Sequence, residues 1–340
     1  MEIKDISILS ASRIKKWTDC SWAYWCNYCL KLPSTSNSGA SRGTACHLVF
    51  EMLLNKRHRH HFKKITTNNS IQASPPVARL VEKSLKRDGF YNQENLDLCD
   101  EMILVGLNND FFAKGGKVIK AEQEFLIEND SPEYKVMGFI DKPVKYTKTK
   151  TIKLVDYKSS KNKFKDCELD GNIQSLVYSL AAKKLWPKIS KNILVEFLFL
   201  RFPDQPAQQI EISDDGLKGF EYYLEHVFKS INNFTEKEAM TNFAADQPMP
   251  PRDGGFKGPL NCGFAKRKGQ LKKNGDPMWH CEYKFPYDYY ALTDKNGKTL
   301  KTAFKKKDLT LKEGQKITKK HYEGCPAHKH LHQVRDDFDF

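Results

Sequence analysis

Two short segments carry the chemistry this sequence can do. Gly138-Phe-Ile-Asp141 is followed by Leu154-Val-Asp156-Tyr-Lys158, with 14 residues between the two aspartates. Residues two apart in a strand share a face, so Asp156 and Lys158 project together. Asp141 is expected to end the neighbouring strand, and a hairpin of this length can bring its carboxylate beside Asp156. Paired oxygens on rigid strands suit a hard divalent cation, Mg2+ or Mn2+, and the Tyr157 carbonyl would add a further oxygen. Lys158 would orient or activate the attacking water and help neutralise a phosphorane-like transition state. Taken alone, D-x-K in a strand is a common solvated pair. Here each aspartate directly follows an apolar run, where a surface pair gains little.

Two further pairs are spaced by four residues. His47 and Glu51 lie in Arg42-Gly-Thr-Ala-Cys-His47-Leu-Val-Phe-Glu51, and Gln174 and Tyr178 lie downstream. On helices each pair faces one way. A lone histidine among apolar neighbours is more often packed than a ligand, and Gln with Tyr is ordinary helix surface.

The elements that must position these residues follow from pattern. Ile14, Trp17, Trp22, Trp25 and Tyr28 recur at helical spacing from Ser10 to Leu30, with Ser10 or Ser12 as N-cap. Ser34 to Ser41 reads as a loop, Gly43 to Leu54 as a helix, and Lys56 to His61 as a basic patch ending it. Residues 75 to 114 read as mainly helical. The period then changes: Val118 to Glu128, Tyr134 to Tyr146 and Ile152 to Tyr157 read as strands. Asn172 to Leu185 is helical, Ile193 to Phe202 a strand, and Asp214 to Phe234 an amphipathic helix. Strands wrapped by helices predict an α/β fold with a mixed central sheet. Composition divides the chain into 1–114, 115–239 and 240–340. Pro248, Pro250, Pro251, Gly254, Gly255 and Gly258 suggest a linker, and the lysine-rich tail beyond has too little aliphatic surface to fold well alone.

In order, these motifs resemble the RecB-like branch of the PD-(D/E)XK nucleases. The resemblance covers residues 10 to about 235 and rests on Gly43 to Glu51, Glu122 to Phe125, Gly138 to Asp141, Asp156 to Lys158, and Gln174 to Tyr178. It implies a restriction-endonuclease-like core with His47, Asp141 and Asp156 as metal ligands and Lys158 as the catalytic lysine. It also implies Gln174 and Tyr178 as site-lining residues and Glu122 at the acidic position of the first strand, with Glu124 as the other register.

The opening, Leu9-Ser-Ala-Ser-Arg-Ile through Trp17 and Cys20 to Trp25, is similar to the same family. In its iron–sulfur members, AddB-type and CRISPR-adaptation nucleases among them, one cysteine precedes the core and three follow. Cys20, Cys262, Cys281 and Cys325 would supply those four thiolates to a [4Fe-4S] cluster. The last three are 19 and 44 residues apart, wider than the family's usual spacing. His280, His321, His328 and His330 keep a structural zinc site as the alternative. Cys26 and Cys29 read as packing among aromatics, and Cys46, Cys99 and Cys167 as buried or half-buried residues.

The whole composition agrees with an intracellular nucleic-acid enzyme. Fifty-six Lys and Arg against 42 Asp and Glu leave a net charge of +14, which favours a polyanionic partner. Nine lysines fall between Lys142 and Lys165; the bland account is a solubilising face, the functional one a track for a DNA backbone. Trp22, Trp25 and Tyr178 are candidates for stacking bases of a single strand. No apolar run reaches the length of a membrane span, and no signal peptide opens the chain. A cytoplasmic location in a bacterial or phage-infected host is expected, where nine cysteines do not form a disulfide set. The expected function is a Mg2+- or Mn2+-dependent DNA exonuclease preferring single strands or free ends. It would act in replication, recombination or end processing, with any helicase activity supplied by a partner. The alternatives are a non-catalytic DNA-binding or assembly protein keeping the nuclease fold, and a zinc-ribbon-type binding protein working through its tail.

Overall fold

The computed structural model describes residues 8–246, 262–275 and 277–332, with the side chains of 166, 167 and 332 left aside. The proposed linker lies outside the described residues, as does the side chain of Cys167. In chain order the helices are α1 (Ala11–Asp19), α2 (Ser21–Tyr24), α3 (Ser38–Leu54), α4 (His60–Asn68), α5 (Pro75–Asp88) and α6 (Gln93–Asn108). Strands β1 (Lys117–Val118), β2 (Gln123–Asp130), β3 (Glu133–Ile140), β4 (Lys142–Tyr146) and β5 (Thr151–Lys158) follow. After them come α7 (Asp166–Asp170), α8 (Ile173–Leu185), β6 (Asn192–Phe199), β7 (Ala207–Glu211), α9 (Asp214–Asn232) and α10 (Glu236–Ala239). The chain closes with β8 (Tyr287–Thr293), β9 (Thr299–Ala303), β10 (Lys316–Tyr322) and α11 (Lys329–His332). Packing divides the described chain into two units, 8–11 with 36–229 and 12–35 with 230–332.

The larger unit is built on a mixed sheet of order β1-β4-β5-β6-β7, in which only β5 and β6 run parallel. Helices α7 and α8 make the crossover that a parallel pair requires. Strand β5 is hydrogen-bonded on both sides and almost continuously buried, as a central strand of Ile, Leu and Val must be. Helix α3 packs Ala45, Val49, Phe50 and Leu53 into a core shared with α5, α6 and Tyr157 of β5.

Several expectations are corrected here. Helix α3 begins at Ser38, inside the stretch read as a loop, because Asn37 accepts a hydrogen bond from Ala40 N–H at 2.9 Å and caps it. The strand expected over Tyr134 to Tyr146 is two. It breaks at Asp141, where β3, paired with β2 in its own two-stranded sheet, passes into β4 of the main sheet. The strand expected over Val118 to Glu128 is likewise interrupted, by a turn at Ala121 and Glu122. Helix α4 and strand β7 carry only short, mixed patterns and were not legible as elements.

The smaller unit gives the tail a fold. Strands β10-β8-β9 form an antiparallel sheet. Its core is aromatic: Trp22 and Trp25 pack with Phe243, Tyr283, Tyr287, Tyr289 and Tyr322. Burying each such ring contributes on the order of 1.5–3 kcal/mol, which makes up for the scarcity of aliphatics. The single helix expected over Ser10 to Leu30 is three pieces. It breaks at Cys20, whose extended backbone (φ −166°) lets its sulfur accept from Ala23 N–H and cap α2, and it ends in a π-helical turn, Trp25–Cys29. Trp22, Trp25 and Tyr178 are all buried, so they are core residues and not base-stacking platforms.

Candidate metal centre and active site

The break at Asp141 creates the site. Gln123 pairs with Ile140 and Lys142 with Val155, so Asp141 stands level with Glu122 on one side and Asp156 on the other. Glu122 N–H donates to the Asp141 carbonyl at 2.9 Å, and Tyr157 N–H donates to Asp141 Oδ2 at 2.8 Å. Glu122 holds φ at +47°, a left-handed conformation that disfavours a residue with a Cβ. Such strain persists where the surroundings impose it, here to turn the carboxylate toward Asp141. Gly138 allows β2 and β3 to pack, since a Cβ there would meet the Phe125 ring at 2.6 Å.

Helix α3 brings His47 over the same point. Gly43, one turn earlier, is needed for that approach, because a Cβ would stand 2.7 Å from Ser159 Oγ at the end of β5. His47 Nε2 donates to the Tyr157 carbonyl at 3.0 Å, which leaves Nδ1 toward Glu122 Oε1 and Asp141 Oδ2, 3.5 Å from each. One ligand atom from each of His47, Glu122 and Asp141 lies within 4.8 Å of the others, the spacing of groups able to share an ion. Asp141 is almost fully buried, and burial followed by the charge of Asp156 pushes its carboxyl up to about 8. Burial alone would lower His47, but Glu122, Asp141 and Asp156 outweigh it and raise the imidazole to about 9. Protons are thus held where a cation is wanted. This donor set, one imidazole nitrogen and carboxylate oxygens that repel one another, fits a hard divalent ion.

Asp156 and Lys158 form the second half of the site. Their side chains share a face of β5, with Lys158 Nζ 2.6 Å from Asp156 Oδ2. Asn172 caps α8 by accepting from the N–H groups of Gln174 and Ser175. Gln174 Oε1 accepts from Lys158 Nζ at 2.6 Å, while its Nε2 donates to Asp156 Oδ1 and to Tyr178 Oη, both at 2.7 Å. Tyr178 Oη donates in turn to Asp156 Oδ1 at 3.2 Å.

The structure therefore brings His47, Glu122, Asp141, Asp156, Lys158, Gln174 and Tyr178 together in one unit. It differs in arrangement from the expected ligand set: Glu122 stands in the close triad, while Asp156 is engaged by Lys158, Gln174 and Tyr178. The Tyr157 carbonyl accepts from His47. Glu124 and Glu51 are exposed and stand outside the triad. Of the nine lysines, Lys142 is buried with its ammonium on the carbonyls of Asp110 and Phe111, and Lys153 pairs with Glu196 at 2.7 Å, so these two do not face a DNA strand. The internal hydrogen bonding of Lys142 has no signal in the sequence.

The smaller unit assembles a second set. Cys325 lies within electrostatic reach of Cys20, Cys281 and Cys262, and Cys281 of Cys20 and Cys262. Burial pushes the thiols of Cys281 and Cys325 up to about 12, so they ionise only against a cation. Among the described residues, no three of these sulfurs come within 4.8 Å of one another. Cys26, expected as packing, is fully buried in the aromatic core and also lies within electrostatic reach of Cys325, Cys281 and Cys20. His321 is held by Asp288 at 2.6 Å.

Carboxylates crowded around an imidazole, with an ammonium held beside them, are the groups that metal-assisted phosphodiester cleavage uses. The chain belongs to the PD-(D/E)XK nuclease superfamily, whose profile matches residues 8–262. Membership implies a nuclease acting on DNA, in a superfamily whose nucleases use divalent metals such as Mg2+ or Mn2+. No curated protein matches the chain. Among the described residues, no helix is long and apolar enough to cross a membrane.

Proposed function

We propose that this protein is a RecB-like, Mg2+- or Mn2+-dependent deoxyribonuclease that degrades DNA from free ends with a preference for single strands. The observation that carries it is the Lys158 ammonium, held at 2.6 Å by both Asp156 and Gln174 beside the His47–Glu122–Asp141 triad. His47, Glu122 and Asp141 would hold the ion, with Asp156 at its edge. A bound divalent ion would neutralise charge building on the phosphate and favour ionisation of the attacking water. Lys158 donates to the developing oxyanion or orients that water, and its two partners fix the ammonium before substrate arrives. Tyr178 and Gln174 keep Asp156 Oδ1 occupied, which leaves Oδ2 and the lysine as the reactive edge. Replication, recombination or end processing, inside a bacterial or phage-infected cell and with a helicase or recombination partner, is the setting such an enzyme suits. Asp156→Ala and Lys158→Ala are expected to abolish cleavage of labelled DNA with Mn2+; undiminished cutting by both refutes the assignment. Circular and linear single strands offered in competition test the need for an end.

We further propose that Cys20, Cys262, Cys281 and Cys325 bind a [4Fe-4S] cluster. Four thiolates around one zinc would sit about 3.8 Å apart, from a Zn–S bond of about 2.3 Å and tetrahedral geometry. The cluster reading is supported by the gathering of the four cysteines, with Cys325 within electrostatic reach of Cys20, Cys262 and Cys281. Iron, sulfide and zinc analysis of anaerobically purified protein decides it: stoichiometric zinc without iron overturns the cluster.

A further inference from the structure

We infer that the cavity beside Lys158 is a subsite for a second phosphate of the DNA, neighbouring the one that is cut. The inference rests on the nuclease reading above and extends it to how the strand is held. The cavity encloses about 510 Å3, within the size range of ligand sites. Its walls include Asn37 and Arg42 at the start of α3 and Lys158, Ser159, Ser160 and Lys161 at the end of β5. Of the nine residues that line it three are cationic and three are serines, and among the described residues no carboxylate lines the space. The acidic groups of the metal centre are thus segregated from it, although both share Lys158 as a wall.

Arg42 is the strongest single argument. It is only 7% exposed, an unusual state for a guanidinium, and it is anchored through Nη1 to the side chain of Asn95. Its Nη2 lies beside Gly39 of the cavity wall, 3.9 Å from where a Cβ on that glycine would stand. With Nη1 held by Asn95, Nη2 is the donor beside the cavity wall, where it can donate to a phosphate oxygen. Lys161 is exposed at the rim and adds a second charge on the open side. The Lys158 ammonium itself points to Asp156 and Gln174. It serves the cut phosphate, while Arg42, Lys161 and the serines serve the next. The bound chemistry is a phosphate oxyanion, which an internal diester or the strand's terminal monoester can equally present.

The test uses the full chain with Mn2+ and short single-stranded oligonucleotides. Each carries one neutral methylphosphonate at a different linkage around the cut, with or without a terminal phosphate. For the wild type, neutralising one neighbouring phosphate is expected to raise KM about tenfold or more at little change in kcat, the scale of removing a charge-assisted hydrogen bond. Lys161→Met should raise KM on unmodified DNA and respond less than the wild type to that same substitution. Sensitivity at an internal linkage identifies a diester in the cavity, and sensitivity to the terminal phosphate identifies the chain end. Equal profiles for wild type and Lys161→Met overturn the subsite. Cleavage that survives Lys158→Ala overturns the nuclease site instead, so the two failures are told apart. Lys161 is exposed, so its replacement leaves the core intact.

Discussion

Lys158 reaches from strand β5 to helix α8, where Gln174 Oε1 accepts its ammonium at 2.6 Å. The same amide donates to Asp156 at 2.7 Å, so one side chain sets the orientation of both charged members of the D-x-K pair. Gln174→Ala is expected to lower kcat about tenfold or more with KM little changed, because a loosened ammonium loses its aim in the transition state. Tyr178→Phe should cost less, since Asp156 Oδ1 keeps its bond from Gln174. Steady-state kinetics on one oligonucleotide checks both, and a Gln174→Ala enzyme with wild-type kcat contradicts the role.

Metal affinity separates the two registers of the first strand. Glu122 stands in the triad and Glu124 is exposed two residues on. Glu122→Gln should weaken Mn2+ binding at least about tenfold, as does loss of a group that holds or orients an ion, while Glu124→Gln leaves it unchanged. Calorimetric titration with Mn2+ measures this. Equal affinities for the two variants would remove Glu122 from the site.

The pH dependence of stability has a defined sign. Asp141, raised to about 8, and His47, raised to about 9, both keep protons in the folded chain that the unfolded chain has released. Their contribution is complete below the unfolded values and declines as pH rises, with both declining between about 6.5 and 8. Mn2+ replaces those protons, so its stabilisation grows over the same interval. Thermal melts in EDTA and in Mn2+ at pH 6 and pH 8 test this. A Tm gain from Mn2+ no larger at pH 8 than at pH 6 would show that these groups do not bind the ion.

Lys284 ties the thiol-bearing segments together. Its N–H donates to the Cys281 carbonyl, its carbonyl accepts from Cys325 N–H, and its buried ammonium donates to the Gly263 carbonyl, next to Cys262, at 2.9 Å. Burial lowers its pKa, and ionisation of Cys262, Cys281 and Cys325 would act to raise it. Lys284→Met is expected to retain less than about half the wild-type metal, and Lys284→Arg most of it. Metal analysis after gel filtration checks this; full retention in Lys284→Met removes the charge role.

The segment following α3 presents exposed Lys56, Arg57, Arg59, Lys63 and Lys64, and residues 52–81 contain no acidic residue. Neutralising all five is expected to reduce the salt dependence of single-strand binding. The logarithmic slope should shrink by about 0.7 for each phosphate that the protein no longer neutralises, with cleavage at saturating DNA preserved. Fluorescence anisotropy over a salt series reads the slope directly. An unchanged slope means that the patch serves only solubility.

By itself the sequence determined the periodic core and the order of the chemical groups. Apolar periodicity marked α8, β5, β6 and α9, and two-residue spacing placed Asp156 and Lys158 on one face of β5, where the ion pair forms. These depend on local geometry, which a few consecutive residues dictate. Tertiary structure alone decided which carboxylate meets His47. That choice turns on a strand that changes sheets at Asp141 and on a backbone at Glu122 held at positive φ, neither of which leaves a periodic trace. The same holds for the tail, whose tyrosines are buried by Trp22 and Trp25 from more than two hundred residues earlier. Long-range packing, not local propensity, made those residues a core.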